Sequence, residues 1–395
     1  MKTIVQSSPI SGYSTLRNYL KKIQLSLISL LLLACKDQQE KKEKQADLYN
    51  WSANISAPKF YPAAGSVDFE YAGASTHTTI EPGWGDTAGN YISGDKYKPV
   101  PEKVSIEYAT ATDSLSYKGT LQLPKEKILA IFREQSHPKQ ITKTIKKQIE
   151  VFPREKEDNA IENIPKPSNY FELIVGMAPG GWIRVWIRGN GDFDKVEIMK
   201  AKLPSYKDPN LNKHFGNLEN WGNSTPYWQY HGIPYDAWAN NEKEYNYGFK
   251  FVSKNNETKL DRSYVVSSDG WYSSFYTEDL SEHLDKITNN TWKGKIPVHL
   301  SVSWQDQQNR KYYDTNIVMP KNLKKIFEET YIADKNHTYS NFVIELEQNK
   351  LNAIVYLKTK NKMIKLLRFK GEPSSKEKQD FGDFAYAKEI EYFIP

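Results

Sequence analysis

VPEKVSIEY at residues 100–108 and IPVHLSVSW at residues 296–304 are the two stretches that indicate the fold of this chain. In both stretches, apolar and polar residues alternate after a proline, which is the pattern of a half-buried β-strand. The two regions keep matching downstream, where Pro124 corresponds to Pro320 at the start of a helical apolar spacing. This ordered match predicts an internal duplication, with two strands and then one helix in each copy.

Apolar residues recur at helical spacing after each strand pair: Ile128, Ile131 and Phe132 in the first copy, and Leu323, Ile326 and Phe327 in the second. Each helix is expected to precede a hairpin and one further strand. The predicted strands are 171–178, 182–188 and 195–200 in the first copy, and 342–346, 351–358 and 363–369 in the second. The first hairpin turns at Pro179-Gly180-Gly181.

These patterns predict an α+β fold of two duplicated antiparallel β-sheet modules, each with one main helix, related by a pseudo-twofold axis. A lysine- and proline-bearing insertion over 137–167 has no counterpart in the second copy. The predicted organisation is a signal peptide over 1–34, a lipidated tether over 35–48, a first β-rich module over 49–205, an aromatic connecting segment with the start of the second module over 206–290, and a second β-rich module over 291–395.

The N-terminus has the pattern of a bacterial lipoprotein signal. Three basic residues within 17–22 precede an apolar run over 23–33, which ends at Ala34 and Cys35. The run is shorter than the roughly 18 residues that a membrane-spanning helix needs, so it predicts a cleaved signal. Cys35 is the only cysteine of the chain, and we expect it to carry the lipid, which leaves the mature protein without disulfides.

The residues after Cys35 predict a solvated tether in the cell envelope. Residues 36–47, KDQQEKKEKQAD, have no large apolar side chain and cannot bury enough surface to fold. Their Lys-Asp opening resembles the surface-export signals of Bacteroidetes lipoproteins, so the expected location is the outer membrane, on its periplasmic face or at the cell surface. Loss of four basic residues with the signal lowers the formal net charge from +6 to +2, so no nucleic-acid partner is expected.

Residues 170–186, YFELIVGMAPGGWIRVW, resemble the signature of a family of uncharacterised bacterial lipoproteins known as domain of unknown function 2931. The opening YNWSANISAP over 49–58 and the later Gly83-Trp84-Gly85 are also similar to this family, and the resemblance covers most of 49–331. It implies a lipid-anchored envelope protein, often encoded in several copies, and it supplies no activity. Encoding in several copies is a habit associated with immunity or self-protection proteins, so the resemblance suits such a role.

The sequence contains no local catalytic or metal-binding motif. None of its seven histidines lies three to five residues from another, and no G-x-S-x-G, P-loop or H-E-x-x-H is present. Two polar clusters, residues 86–90 and 267–270, are more typical of turns than of a nucleophile or cation site. We therefore expect no catalytic residue, no metal and no cofactor.

The strand over 182–188 is one candidate binding surface. Trp182, Arg184, Trp186 and Arg188 share one of its faces. If that face is exposed, paired indoles and guanidinium groups suit an acidic protein partner. If a neighbouring element covers it, the arginine stems pack on the indoles. The sequence leaves both alternatives open.

The segment over 221–276 is the second candidate surface, because it is crowded with aromatic rings and amide groups. Such groups bind flat polar ligands such as sugars, or a protein partner, and they also seal seams between sheets. The candidate residues here are Trp228, Tyr230, Tyr235, Trp238, Trp271 and Tyr272.

The resulting hypothesis is a membrane-anchored, non-enzymatic envelope lipoprotein that binds a protein, with an immunity-type role. Glycan binding at residues 221–276 is the first alternative. An envelope hydrolase is the second alternative, and the missing local nucleophile and metal motifs disfavour it. The expected partners are the membrane, through the lipid on Cys35, and a protein or a glycan.

Overall fold

A computed structural model describes residues 48–88, 90–91, 94–135, 170–189, 195–211, 215, 224–253, 258–276, 293–333, 340–359, 362–374 and 385–394. Within these residues the chain is mainly β, with a few helices and several sheets. The predicted signal peptide, Cys35, nearly all of the tether and the insertion over 137–167 lie outside them.

The first half of the described chain contains eleven strands. They are β1 (Leu48–Ser56), β2 (Ala63–Phe69), β3 (Gly73–Ile80), β4 (Asn90–Tyr91), β5 (Tyr97–Pro99), β6 (Lys103–Thr110), β7 (Leu115–Gln122), β8 (Tyr170–Ala178), β9 (Trp182–Gly189), β10 (Val196–Lys202) and β11 (Ser205–Tyr206). Helix α1 (Lys125–Gln135) lies between β7 and β8, and a 3₁₀ turn (Pro179–Gly181) joins β8 to β9.

Two short helices follow, α2 (Ser224–His231) and α3 (Tyr235–Asn240). The second half then contains β12 (Glu244–Ser253), β13 (Thr258–Ser267), β14 (Tyr272–Tyr276), β15 (Lys293–Lys295), β16 (Pro297–Asp306), β17 (Lys311–Val318), β18 (Ser340–Leu346), β19 (Asn352–Lys358), β20 (Met363–Lys370), β21 (Glu372–Ser374) and β22 (Ile390–Tyr392). Helix α4 (Leu323–Ala333) lies between β17 and β18.

The strands form four sheets, two in each half. The first half has the orders β10-β9-β8-β1-β4, with β5 also paired to β1, and β11-β7-β6-β2-β3. The second half has the orders β15-β12-β18-β19-β20-β22 and β14-β13-β16-β17-β21. When β4 and β22 are set aside, the sheets of the two halves have the same strand order.

The elements predicted from the sequence periodicity are present at the expected places. The strands predicted around residues 104–108 and 298–304 lie in β6 and β16, and each half has a helix after its second central strand. Ile128 and Phe132 are buried in the first helix, and Leu323 and Phe327 in the second, whereas Ile131 and Ile326 are half-buried. The antiparallel prediction is wrong for β12 and β18, which pair in parallel. A long connection through α4 separates these strands, and a crossover of this length permits parallel pairing.

By its contacts the chain divides into two compact units. The smaller unit contains Met1–Asn50, Lys96–Val100 and Leu129–Asn169. In its described part, β5 pairs with the start of β1, and the ring of Tyr49 meets the ring of Phe132 edge-on at 5.1 Å between centroids.

The larger unit contains Trp51–Asp95, Pro101–Ile128 and Tyr170–Pro395, and therefore most of both halves. A cluster of buried aromatic residues joins the halves and is called the aromatic seam below; it includes Phe60, Tyr61, Trp84, Trp186, Tyr227, Trp238 and Tyr264. The backbone N–H groups of Lys59 and Trp84 both donate to the carbonyl oxygen of Gly270, each at 2.9 Å. No helix in the described ranges has the length and apolar character needed to cross a membrane.

Candidate binding groove

The turn between β8 and β9 forms the floor of a groove in the first half. Gly180 and Gly181 have φ angles of 76° and 79°, a left-handed conformation that costs a residue with a Cβ about 1–2 kcal/mol. The sequence Pro-Gly-Gly therefore fits this turn. The N–H of Gly180 donates to Asp113 Oδ2 at 2.8 Å and to Tyr117 Oη at 3.0 Å, which fixes the turn against the β6–β7 connection.

Asp113 holds the β8–β9 turn against the β6–β7 connection. Besides Gly180, it accepts hydrogen bonds from the Tyr117 hydroxyl at 2.5 Å, from the backbone N–H of Leu115 at 3.2 Å and from the hydroxyl of Thr110. Burial, and then the hydrogen bond to Asp113, raises the pKa of Tyr117. Because both carboxylate oxygens already accept two bonds each, Asp113 acts here as a structural support.

The groove beside these turns is a cavity of about 820 Å³. This volume lies within the usual range for small-molecule sites, about 300–1,000 Å³. The wall includes three aromatic residues, a lysine and residues of the β10–β11 connection. The lining residues are Asp113, Leu115, Tyr117, Gly180, Trp182, Lys202, Leu203, Pro204, Ser205 and Tyr235.

Two of these aromatic rings, those of Trp182 and Tyr235, come from different elements. Trp182 begins β9, and Tyr235 begins α3. The ring of Tyr235 meets Trp238 at 6.2 Å between centroids and lies directly over Gly180, where an added Cβ would approach its Cδ1 to 2.7 Å. Tyr235 is 41% exposed, so its ring is open to solvent beside the groove. Glycine at position 180 therefore makes room for this ring.

Lys202 supplies a cation at the groove. Strand β10 pairs with β9 so that Lys202 lies opposite Trp182, and the ammonium stands 5.1 Å from the Trp182 ring centroid. A lysine over an indole face contributes about 0.5–1 kcal/mol when the pair is exposed. In the described ranges, no acidic side chain forms an ion pair with Lys202.

The face of β9 that carries Arg184 and Trp186 is covered. This favours the alternative in which a neighbouring element packs on the face over the alternative of an exposed binding surface. Arg184 is 3% exposed, and its guanidinium donates to the carbonyl oxygens of Trp238 at 2.7 Å and Ala239 at 3.2 Å, and to Glu197 Oε1 at 2.5 Å. These carbonyls lie in the last turn of α3, where backbone acceptors lack helical partners. Helix α3 therefore covers the strand.

The same face continues beyond Arg184. Trp186 is 6% exposed and meets Trp84 edge-on at 5.1 Å between centroids. Arg188 is half-buried and donates to Glu172 Oε2 at 2.5 Å and to the Thr87 hydroxyl at 3.1 Å. Of the four residues predicted on this face, Trp182 is the one that lines the groove.

The aromatic candidates of residues 221–276 lie in several environments. Trp238 is fully buried in the aromatic seam, and its indole N–H donates to the carbonyl oxygen of Asp269 at 2.9 Å. Trp228, Trp271 and Tyr272 are half-buried, and the indole N–H of Trp228 donates to the carbonyl oxygen of Phe60. Tyr230 is 55% exposed and stacks on Tyr386 with 3.9 Å between ring centroids. The groove brings together Tyr235 from this set and Trp182 from β9.

A histidine pair in the aromatic seam escaped the sequence reasoning. His231 Nε2 lies 3.3 Å from His299 Nδ1, and His299 Nε2 lies 3.2 Å from Asn316 Oδ1. Burial lowers the pKa of His231 to about 4 and the pKa of His299 well below its usual value. The two residues are 68 positions apart, so no local spacing could have revealed them. Within the part of the chain that the structure describes, no group of three or more metal-ligating side chains occurs.

Of the two polar clusters predicted as turns, residues 86–88 and 268–270 lie in loops, whereas Asn90 begins β4 and Ser267 ends β13. Buried charges accompany both clusters. Asp269 is fully buried and forms an ion pair with Lys295, while its Oδ1 accepts from the Ser267 hydroxyl at 2.6 Å. In the other cluster, burial raises the pKa of Asp86 and lowers that of Lys195, whose ammonium donates to the carbonyl oxygen of Gly85 at 3.0 Å. Desolvation outweighs the attraction between these two opposite charges.

The fold and the groove define a mainly β protein with an aromatic-lined surface site in its first half. Residues 37–236 match the family model described as "Protein of unknown function (DUF2931)", and the chain belongs to this family. No curated protein and no solved structure gives a significant match. The family match contains every residue that lines the groove. It ends at residue 236, whereas the resemblance noted in the sequence extends to residue 331.

Proposed function

We propose that the chain is a non-enzymatic carbohydrate-binding protein whose site is the groove at Gly180. The observation that carries the proposal is a cavity of about 820 Å³ with the rings of Trp182 and Tyr235 in its wall. Sugar rings present apolar C–H faces and many hydroxyls, and binding sites for such ligands combine aromatic faces with a few polar groups. Ser205 and Lys202 supply polar groups at the same cavity.

A binding role fits the groove better than hydrolysis. Glycoside hydrolysis in its usual form needs two carboxyl groups flanking the bond. Among the described residues of the cavity wall, Asp113 is the only acid, and its oxygens accept four hydrogen bonds from neighbouring groups. The groove therefore offers a surface for recognition, in which Asp113 maintains the shape.

The two halves of the chain are inferred to be copies of one module. Their corresponding sheets share a strand order, and stacked ring pairs recur on the central strands, Tyr108 with Tyr117 and Trp304 with Tyr313. The turn between β18 and β19 has the place in the second half that the Gly180 turn has in the first. At this turn the ammonium of Lys350 contacts Asp306 at 3.2 Å. An experimental structure in which β6, β7 and α1 superpose on β16, β17 and α4 no better than unrelated units would contradict the duplication.

The cellular setting is proposed from the sequence. The pattern before Cys35 supports a bacterial, Bacteroidetes-type lipoprotein in the outer membrane, facing the periplasm or the outside. Replacement of Cys35 with Ala should abolish lipid labelling and release the protein from membranes. Cys35→Ala protein that stays with the membrane after a high-salt wash would contradict the anchor.

The carbohydrate proposal is tested by affinity electrophoresis and calorimetry with a panel of soluble polysaccharides. The detergent-purified protein is expected to bind at least one of them, and Trp182→Ala and Tyr235→Ala are expected to weaken this binding about tenfold. Tyr230→Ala is the matched control, since Tyr230 is also exposed but does not line the groove. The proposal is wrong if no polysaccharide binds, or if Tyr230→Ala weakens binding as much as Tyr235→Ala.

A protein partner is the second candidate ligand. An immunity-type role is the kind of protein binding that suits a family often encoded in several copies. The observation that favours it is the exposed Tyr230 stacked on Tyr386, because exposed tyrosines are enriched at protein interfaces. The covering of Arg184 and Trp186 removes the surface that the sequence had offered for an acidic partner. Loss of a captured envelope protein in Tyr230→Ala, with carbohydrate binding absent, would favour this candidate.

A further inference from the structure

We propose that the groove selects acidic carbohydrates, in which a carboxylate or sulfate group on the sugar pairs with Lys202. This inference rests on the proposed function, since it names the substrate class of the same site. Its basis is the distribution of charge around the cavity. Among the described lining residues, one acid and one base are present, and the oxygens of the acid already accept hydrogen bonds from neighbouring groups.

Asp113 is the acid, and both of its oxygens are occupied by neighbouring groups. Its oxygens accept from two backbone N–H groups and two hydroxyls, from Leu115, Gly180, Thr110 and Tyr117. A carboxylate has about four lone-pair sites, so these four bonds leave Asp113 little capacity to accept donors from a ligand.

Lys202 is the base, and no described acid pairs with it. Two other charged residues of β10 are occupied: Glu197 pairs with Arg184, and Lys200 donates to the carbonyl oxygen of Ala239. The Lys202 side chain is exposed, and its ammonium stands 5.1 Å from the Trp182 ring centroid. A sugar that contacts this aromatic wall would bring its ring substituents within reach of the ammonium.

The ammonium group of lysine is a compact point charge with three donors on a flexible stem. It accepts a carboxylate or a sulfate without the fixed bidentate geometry that arginine imposes. Binding of an acidic sugar would replace the cation–π contact of Lys202 by a hydrogen-bonded ion pair, and such charge-assisted bonds are about twice as strong as neutral ones. A neutral sugar gains only the contacts with the rings and hydroxyls.

The test compares oligosaccharides that differ only in charge. Uronic-acid oligosaccharides from pectin, alginate and hyaluronan are titrated against the detergent-purified protein, each beside its carboxyl-reduced counterpart. Sulfated carrageenan oligosaccharides and their desulfated forms provide the sulfate arm. At least one acidic member should bind about tenfold more tightly than its neutral counterpart, and this preference should shrink as salt concentration rises.

Lys202→Met should bring the affinity for the acidic member down to that of its neutral counterpart measured with the same variant. Lys250→Met is the matched control, because Lys250 is an exposed lysine on β12 that does not line the cavity. Neutral members that bind as tightly as acidic ones would overturn the selectivity and leave the carbohydrate proposal standing. Binding of no member, acidic or neutral, would overturn both.

Discussion

Gly180→Ala is the substitution that separates the shape of the groove from the stability of the fold. Gly180 has a φ of 76°, and a Cβ at this position would come within 2.7 Å of Cδ1 and 3.0 Å of Cε1 of Tyr235. Real Cβ contacts are not this short, so the ring has to move. Tyr235 is 41% exposed and has solvent to move into, which allows the groove to change without disturbing the buried core.

Gly232→Ala is the matched control. Gly232 has a φ of 66°, and a Cβ there would meet nothing within 4 Å. Both substitutions therefore place alanine in the left-handed region, at a cost of about 1–2 kcal/mol each. The free energies of unfolding of the two variants should differ by less than about 0.5 kcal/mol, because surface rearrangements of an exposed ring cost little.

Carbohydrate binding should distinguish the variants. A displaced aromatic ring removes an interaction of about 1 kcal/mol from the bound ligand, which corresponds to about a fivefold weaker affinity. Gly180→Ala should show this loss in calorimetry, and Gly232→Ala should bind like the wild type. Chemical denaturation of the same samples measures the stability of both variants.

Two results would refute the reasoning. Wild-type affinity in Gly180→Ala would mean that Tyr235 does not contribute to the site. A loss of stability in Gly180→Ala more than about 2 kcal/mol greater than in Gly232→Ala would mean that the Tyr235 ring cannot move away, and the binding defect would then reflect the fold.

Three further predictions concern the larger unit. Lowering the pH from about 6.5 toward 4 should destabilise the protein, because the unfolded chain binds protons at His231 before the folded one does. His231→Gln should reduce the dependence of the melting temperature on pH in that window without abolishing it, since burial also lowers the pKa of His299. Arg184→Met should cost about 1–3 kcal/mol in chemical denaturation, since it leaves the carbonyl oxygen of Trp238 without its side-chain donor and Glu197 without its ion pair; an unchanged free energy of unfolding would contradict this account. Lys295→Met should cost about 3–5 kcal/mol by leaving buried Asp269 unpaired, and a second change, Asp269→Asn, should recover part of the loss.

Local patterns predicted much of the secondary structure. The alternation over 104–108 and 298–304 predicted β6 and β16, because side chains alternate between faces with a period of two. The half-buried expectation is wrong for β16, where the polar face of His299, Ser301 and Ser303 is buried as well. The Pro-Gly-Gly turn followed from the conformations that only glycine adopts readily. The two helices after the strand pairs followed from their apolar spacing. These features depend on neighbours in the sequence.

The candidate site depended on contacts that no local pattern contains. The sequence placed Arg184 and Trp186 on one face of a strand, but their burial depends on where α3 lies. The pair of His231 and His299 joins α2 to β16, and the groove joins Trp182 to Tyr235. Each of these pairs is separated by more than 50 residues, so the tertiary fold alone brings them together.

Helix α3 links the aromatic seam to the groove. Its last turn supplies the carbonyl oxygens that bind Arg184, its central Trp238 is buried in the seam, and its first residue, Tyr235, lies at the groove. A helix of six residues has little stability of its own, so these contacts fix its position. Arg184 and Trp238 therefore determine where the ring of Tyr235 lies, although neither lines the cavity. A substitution at Arg184 that the fold survives should accordingly weaken carbohydrate binding through the position of α3, and Tyr235→Ala in the same protein should then add no further loss.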